Sequence, residues 1–201
     1  TVPLVKLSTD TFTNSTSQHA TEVEPDSFAF GSTIVAAFQV GRIHDGGASD
    51  IGFAISTDAG ASWQNGLLPG ITMFQRGGVS SAVSDASVIH DAAHGVWLIS
   101  SLPIASSGAA QVVVSTSPDG MNWGNPIAVS RVSQSPDADT DWITCDNTAT
   151  SPFYGHCYVE WDDVSQGGLV WMSTSTDGGQ TWSPALNTAI ANGAASSAQG
   201  L

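Results

Sequence analysis

The residues best equipped for chemistry in this sequence are its carboxylates, and several recur in related places. Glu24 and Asp85 stand just ahead of strand-like runs, and Asp141 stands ahead of a third with Asp137 and Asp139 close by. Carboxylates brought together by a fold repel one another. Such a set either takes a cation, with Ca2+ the fitting one, or holds protons at raised pKa. The plain alternative is that each caps a turn between strands. Asp137-Ala-Asp139-Thr-Asp141 has the opening of an EF-hand loop but lacks the later Gly and Glu that such a loop needs. A second candidate is Val40-Gly-Arg42-Ile-His44-Asp45-Gly-Gly-Ala-Ser-Asp50-Ile51, which gathers a guanidinium, an imidazole and two carboxylates in one Gly-rich stretch. Those groups can bind a polar ligand and move a proton, or they can be a solvated turn. His90-Asp91-Ala-Ala-His94 would share a face only on a helix, and here it spans a strand end and a turn, which argues against a metal pair. No Ser-His-Asp elbow and no phosphate loop occurs.

The elements that must carry these groups are strands. Three segments end alike: Ser56-Thr-Asp58-Ala-Gly60-Ala-Ser-Trp63, Thr116-Ser-Pro118-Asp119-Gly120-Met-Asn-Trp123 and Ser175-Thr-Asp177-Gly-Gly179-Gln-Thr-Trp182. Their tryptophans are 60 and then 59 residues apart. In each, Asp accepts backbone N–H bonds in a tight turn, Gly takes positive φ, and Trp folds back over the hairpin. The middle segment has Pro118 where the Asp belongs and Asp119 one place later, which leaves its side-chain hydrogen bonds open but keeps the turn. Before each turn lie three strand-like runs, and after it a fourth, such as Asn125-Pro-Ile-Ala-Val129. Four antiparallel strands per repeat is the make-up of a propeller blade, and a β-sandwich has no reason to repeat a signature at this period.

The fold class expected is therefore all-β, with about three blades: residues 22–70, 71–130 and 131–190. Residues 1–21 form an N-terminal segment in which Val2-Pro-Leu-Val-Lys-Leu7 could complete the last blade, and residues 191–201 lead into a further one. Composition agrees, with 21 Gly, 9 Pro and only 11% charged residues in 201. Four Lys+Arg against 18 Asp+Glu, a formal net charge of −14, argues against nucleic acid and anionic membrane surfaces as partners. No apolar run is long enough to span a membrane. Cys145 and Cys157 sit in neighbouring strand-like runs, so a disulfide across that hairpin fits, with two buried thiols as the alternative.

The pattern Ser/Thr-x-Asp-x-Gly-x-x-Trp, repeated at constant spacing from about Glu22 to Trp182, resembles the Asp-box (BNR) repeat of sialidase-like propellers. The resemblance implies a six-bladed propeller of about twice this length, so the remaining blades would come from a missing segment, another chain or a homodimer. It implies a secreted or cell-surface protein whose ligand is a carbohydrate or a protein, and a glycoside hydrolase if it is an enzyme. It implies that Ser56, Asp58, Gly60, Trp63, Asp119, Gly120, Trp123, Ser175, Asp177, Gly179 and Trp182 are structural and lie on the rim. It places a catalytic aspartate in the loop before the first box, which makes Asp45 the candidate acid, with Arg42, His44 and Asp50 binding substrate. Glu24, Asp85, Asp139 and Asp141 would ring the channel and form the candidate metal site. This sequence departs from the family in lacking the Arg-Ile-Pro motif whose arginine clamps a sialic acid carboxylate; Arg42-Ile43 is followed by His44, and the other arginines are Arg76 and Arg131. Two further readings follow: a non-catalytic glycan- or protein-binding propeller, and a hydrolase of neutral glycans working through paired aspartates, which needs no arginine clamp.

Overall fold

The structure is a computed structural model that describes residues 4–75, 77–130 and 137–187. It contains three consecutive antiparallel meanders of four strands. The first is β1 (Ser17–Phe30), β2 (Thr33–Ile43), β3 (Ala48–Ser56) and β4 (Gln64–Leu67). The second is β5 (Ala82–Asp91), β6 (Val96–Ile104), β7 (Val113–Ser117) and β8 (Ile127–Ala128). The third is β9 (Ala138–Cys145), β10 (Cys157–Asp163), β11 (Leu169–Ser175) and β12 (Leu186–Asn187). Each meander is one blade, with β1, β5 and β9 packed side by side as the innermost strands. A single pairing, Ala48 with Val83, links the first two blades edge to edge.

The strands are apolar on both faces because blades stack against both faces. In β2, Val35 and Ala37 face the second blade and join Ile51, Phe53, Ile55, Val88, Trp97 and Ile99 in one core. Ala36, Phe38 and Val40 face the other way and are covered by Leu7, Phe12 and Trp63. Leu98, Val112, Val114, Ile143, Val159 and Trp161 fill the seam between blades two and three. Residues 4–14 thus cover the outer face of the first blade without forming a strand, unlike the strand expected for Val2–Leu7, and the first strand starts at Ser17, inside the segment expected to precede the first blade. The expected lead into another blade at 191–201, and Arg76 and Arg131, lie outside the described residues. Among the described residues no helix is long and apolar enough to cross a membrane.

The three signature turns share one hydrogen-bond pattern. Ser56 Oγ accepts the Gly60 N–H at 2.8 Å, and Asp58 accepts the Ser62 N–H at 2.8 Å. Ser175 and Asp177 repeat this with Gly179 at 3.0 Å and Thr181 at 2.9 Å. Each Trp indole donates to the Gly carbonyl three residues back, at 3.1, 3.1 and 3.2 Å. The middle turn is complete rather than degraded: Ser117 accepts from Gly120 at 2.9 Å, and Asp119 accepts from Asn122 at 2.7 Å. Its register starts at Ser117, one residue later than the sequence suggested. The missing residue lies between Asp and Gly, where the other two turns hold Ala59 and Gly178 at φ 57° and 71°. Pro118 therefore replaces nothing essential. Cys145 and Cys157 face each other across β9 and β10 and are joined by a disulfide.

Candidate active site

The signature turns close the β3–β4 hairpin at the same end as the β1–β2 turn, where the Ala59 N–H donates to the Ser32 carbonyl at 2.9 Å. The β2–β3 loop and the starts of β1, β5 and β9 therefore lie at the opposite end. Each innermost strand carries a bulge there. Glu24, Asp85 and Thr140 occupy equivalent places, with φ of 53°, 40° and 51°, and the pairing registers of β1, β5 and β9 shift beside them. Positive φ at three non-glycine residues is strained backbone that recurs once per blade. A bulge turns a side chain out of the sheet's alternation, so Glu24 and Asp85 are aimed together at the channel mouth.

The carboxylates meet across the blades. Asp85 accepts the Thr140 N–H at 3.1 Å and lies beside the Glu24 carboxylate. Glu24 in turn accepts from the Gln39 amide. Burial, then the negative charges of Asp139 and Glu24, push Asp85 up to about 6. Asp162 stands opposite Asp139 in the β9–β10 pairing and is also raised, by burial first and then by Asp139. Sequence reasoning missed Asp162; its only signal was an acidic pair ending the apolar run Cys157–Trp161.

Asp141 is not exposed with the other carboxylates but buried behind them, within reach of the charges of Asp85 and Asp139. The bulge at Thr140 rotates it into the seam between blades two and three, where it is 4% exposed beside Ser100 and neither oxygen closes a hydrogen bond. Burial raises its pKa well above the ordinary carboxylate value. Nor do Glu24, Asp85, Asp139 and Asp141 converge as a Ca2+ cage would. Among the described residues, the one such cluster with ligand atoms within 4.8 Å of one another is Asp91, Cys145 and Cys157, and its sulfurs are held in the disulfide.

The β2–β3 loop behaves differently. Ile43 and Gly47 close a tight hairpin with a 2.8 Å backbone bond. Asp45 at its tip is 96% exposed and meets only His44, at 3.0 Å. Arg42 lies back on β2, opposite Ala48. Asp50 is fully buried in β3 opposite Val40, on the face covered by the N-terminal segment, with both oxygens unpartnered and its pKa raised by burial. Asp45 and Asp50 are thus in solvent and in the core respectively, and the structure does not bring them to one site.

No protein-family model matches the sequence, and no curated protein matches it. Solved structures do. The chain is similar to a protein of unknown function from Dyadobacter fermentans, with TM-score 0.59 and 14% identity over 84% of this chain and 51% of that one. It is similar to an exo-β-1,3-galactanase from Phanerochaete chrysosporium solved with β-1,3-galactotriose, with TM-score 0.52 and 16% identity over 92% and 42%. It is also similar to a GH62 hydrolase solved with xylotriose, with TM-score 0.53 and 16% identity over 84% and 51%. The fold is that of a β-propeller. The chain spans about half the length of these structures.

Proposed function

We propose that this chain is part of an exported β-propeller that hydrolyses neutral glycans with carboxyl groups at its channel mouth. The observation that carries this is Asp85, held near pKa 6 between Glu24 and Asp139 on three consecutive innermost strands. Glycoside hydrolysis needs one carboxyl that is still protonated to donate to the leaving oxygen, and a second that is charged to activate water or attack. Asp85 takes the first role and Asp139 the second. Glu24, whose negative charge raises Asp85, is a positioning residue that keeps the proton there. The likeness to a galactanase and a GH62 hydrolase, both solved with uncharged sugars, supports a neutral substrate. The absence of an Arg-Ile-Pro motif ahead of the first signature turn supports it too, and the disulfide supports an oxidising compartment.

A sialidase-like reading is favoured by the three signature turns at their constant spacing, with Asp45 as its acid. One assay separates the two. The chain is incubated with aryl arabinofuranosides, xylosides, galactosides and sialosides. Release from a neutral glycoside, lost in Asp85→Asn and Asp139→Asn, is the expected result. Cleavage of the sialoside, lost in Asp45→Asn, puts the sialidase-like reading in its place. Saturable binding of neutral trisaccharides with no turnover of any substrate makes the protein a binding module.

A further inference from the structure

A hollow of about 370 Å³ lies far from the channel, on the outer rim where the first blade meets the second. Its walls come from three stretches of chain: Thr9 and Thr11 of the N-terminal segment, Asn65 on β4 with Gln75 beyond it, and Trp123 of the second signature turn. Phe53 of β3 lies at its floor, 5.8 Å from the Trp123 ring centroid and tilted to it by 53°. Gly66, opposite Phe53 in the β3–β4 pairing, lets that buried ring lie directly against the β4 backbone, so the aromatic surface open to the hollow is that of Trp123. A Cβ at Gly66 would strike the ring at 2.7 Å.

The lining is unlike the rest of the molecule. Of 201 residues 18 are acidic, yet none of the eleven residues around this hollow carries a charge. The indole N–H of Trp123 is satisfied by the Gly120 carbonyl at 3.1 Å, so the half-buried ring offers its carbon surface. Among the described residues the side chains of Asn65, Gln75, Thr9 and Thr11 find no hydrogen-bond partner, so their amides and hydroxyls are open to a ligand. The volume lies in the range of small-molecule sites, about 300–1,000 Å³. An aromatic surface ringed by uncharged donors and acceptors is complementary to a sugar ring, which has an apolar C–H face and a rim of hydroxyls. A charged ligand would find no counter-charge among these eleven residues, and a wholly apolar one would strand the amides.

We propose that this rim hollow is a second, non-catalytic binding site for a neutral saccharide, stacked on Trp123 and held by Asn65 and Gln75. It has no carboxylate in its lining and so cannot perform acid–base chemistry. Its role is to hold a polymeric glycan while another part of the chain meets the channel. The site stands on residues that the channel does not use, so either proposal can fail alone.

The test is a titration of the chain with xylotriose and with β-1,3-galactotriose, followed by residue-resolved NMR shifts and by calorimetry. Trp123 also closes a turn, so the variants are Asn65→Ala, Gln75→Ala and the double, with thermal midpoints confirming that they fold. The expected result is saturable shifts at Asn65, Gln75 and the Trp123 indole. The double variant should bind at the rim at least tenfold more weakly. Affinity should be flat between pH 5 and 8, because nothing in the lining titrates there. The proposal is overturned if neither sugar produces saturable shifts, if the shifts fall only at the channel mouth, or if the double variant binds normally. Tighter capture of an uncharged extended peptide along the free edge of β4 would also overturn it, by making the rim a strand-pairing surface.

Discussion

Replacing Asp85 by Asn should make the protein more stable at neutral pH, and the sign follows from the channel carboxylates. The Asp85 pKa rises from 3.8 to about 6 on folding, so the folded chain binds this proton more tightly than the unfolded one. The stabilisation is fully present below pH 4 and is lost as pH rises through 6. A shift of about two units corresponds to about 3 kcal/mol. Asn resembles the protonated acid and can still accept the Thr140 N–H. At pH 4 the variant and the parent should therefore be alike. At pH 7 the variant should be the more stable, by up to about 3 kcal/mol. Asp50, Asp141 and Asp162 are raised as well, so the variant should keep a residual slope in the same direction. Asp58 and Asp119 work the other way: hydrogen bonds from Ser62 and from Asn122 hold them at about 2, so what they contribute is lost only as pH falls towards 2. Stability should then peak at mildly acidic pH. Urea unfolding at half-unit steps from pH 4 to 7.5 measures the difference directly. Parallel curves for variant and parent, or a variant weaker at pH 7, would refute the placement of this proton.

Asp26→Ala removes the acceptor for the Val88 N–H at 2.8 Å and the Ser87 hydroxyl at 3.1 Å, both in the next blade, and should cost about 1.5–3 kcal/mol in urea unfolding. Ser117→Ala leaves the buried Gly120 N–H without its partner and should cost about 1–2 kcal/mol, as Ser175→Ala should by the same measurement. Replacing Cys145 and Cys157 together by Ser opens a link across 12 residues and should lower stability by about 2–3 kcal/mol, read as a matching loss when the parent is unfolded under reducing conditions.

Much of the fold could be read from the sequence because its signals are local. The turn at Asp58–Trp63 is specified within eight residues, and the runs at Thr33–Phe38 and Val96–Ser100 are apolar enough to be strands wherever they pack. The pairing of Cys145 with Cys157 needed only that two adjacent runs be neighbouring strands. The site was harder, because one inserted residue reverses which way a side chain points. The bulge at Thr140 sends Asp141 into a seam and leaves Asp139 with Asp85, and nothing in Asp137-Ala-Asp139-Thr-Asp141 announces where it falls. Asp45 has the right spacing for the family it resembles, but spacing says nothing of neighbours, and its only partner is His44. The rim hollow was out of reach for the same reason, since Thr9, Asn65, Gln75 and Trp123 meet only after two blades have packed.

The side-chain bonds between innermost strands run one way. Asp26 receives the backbone of blade two through Val88, and the residue two places past the next bulge, Ser87, receives blade three through Ile143 at 3.4 Å. Blade three also reaches back from Asn147, just past β9, whose amide donates to the His90 carbonyl at 2.7 Å and whose oxygen accepts the Ala92 N–H at 2.8 Å, so this seam is fastened from both sides. At the third blade the same place holds Trp142, which is 51% exposed and has no acceptor to offer. Among the described residues this catch is therefore not repeated at blade three. A break in the chain beyond that blade would unfasten neither of the two seams before it.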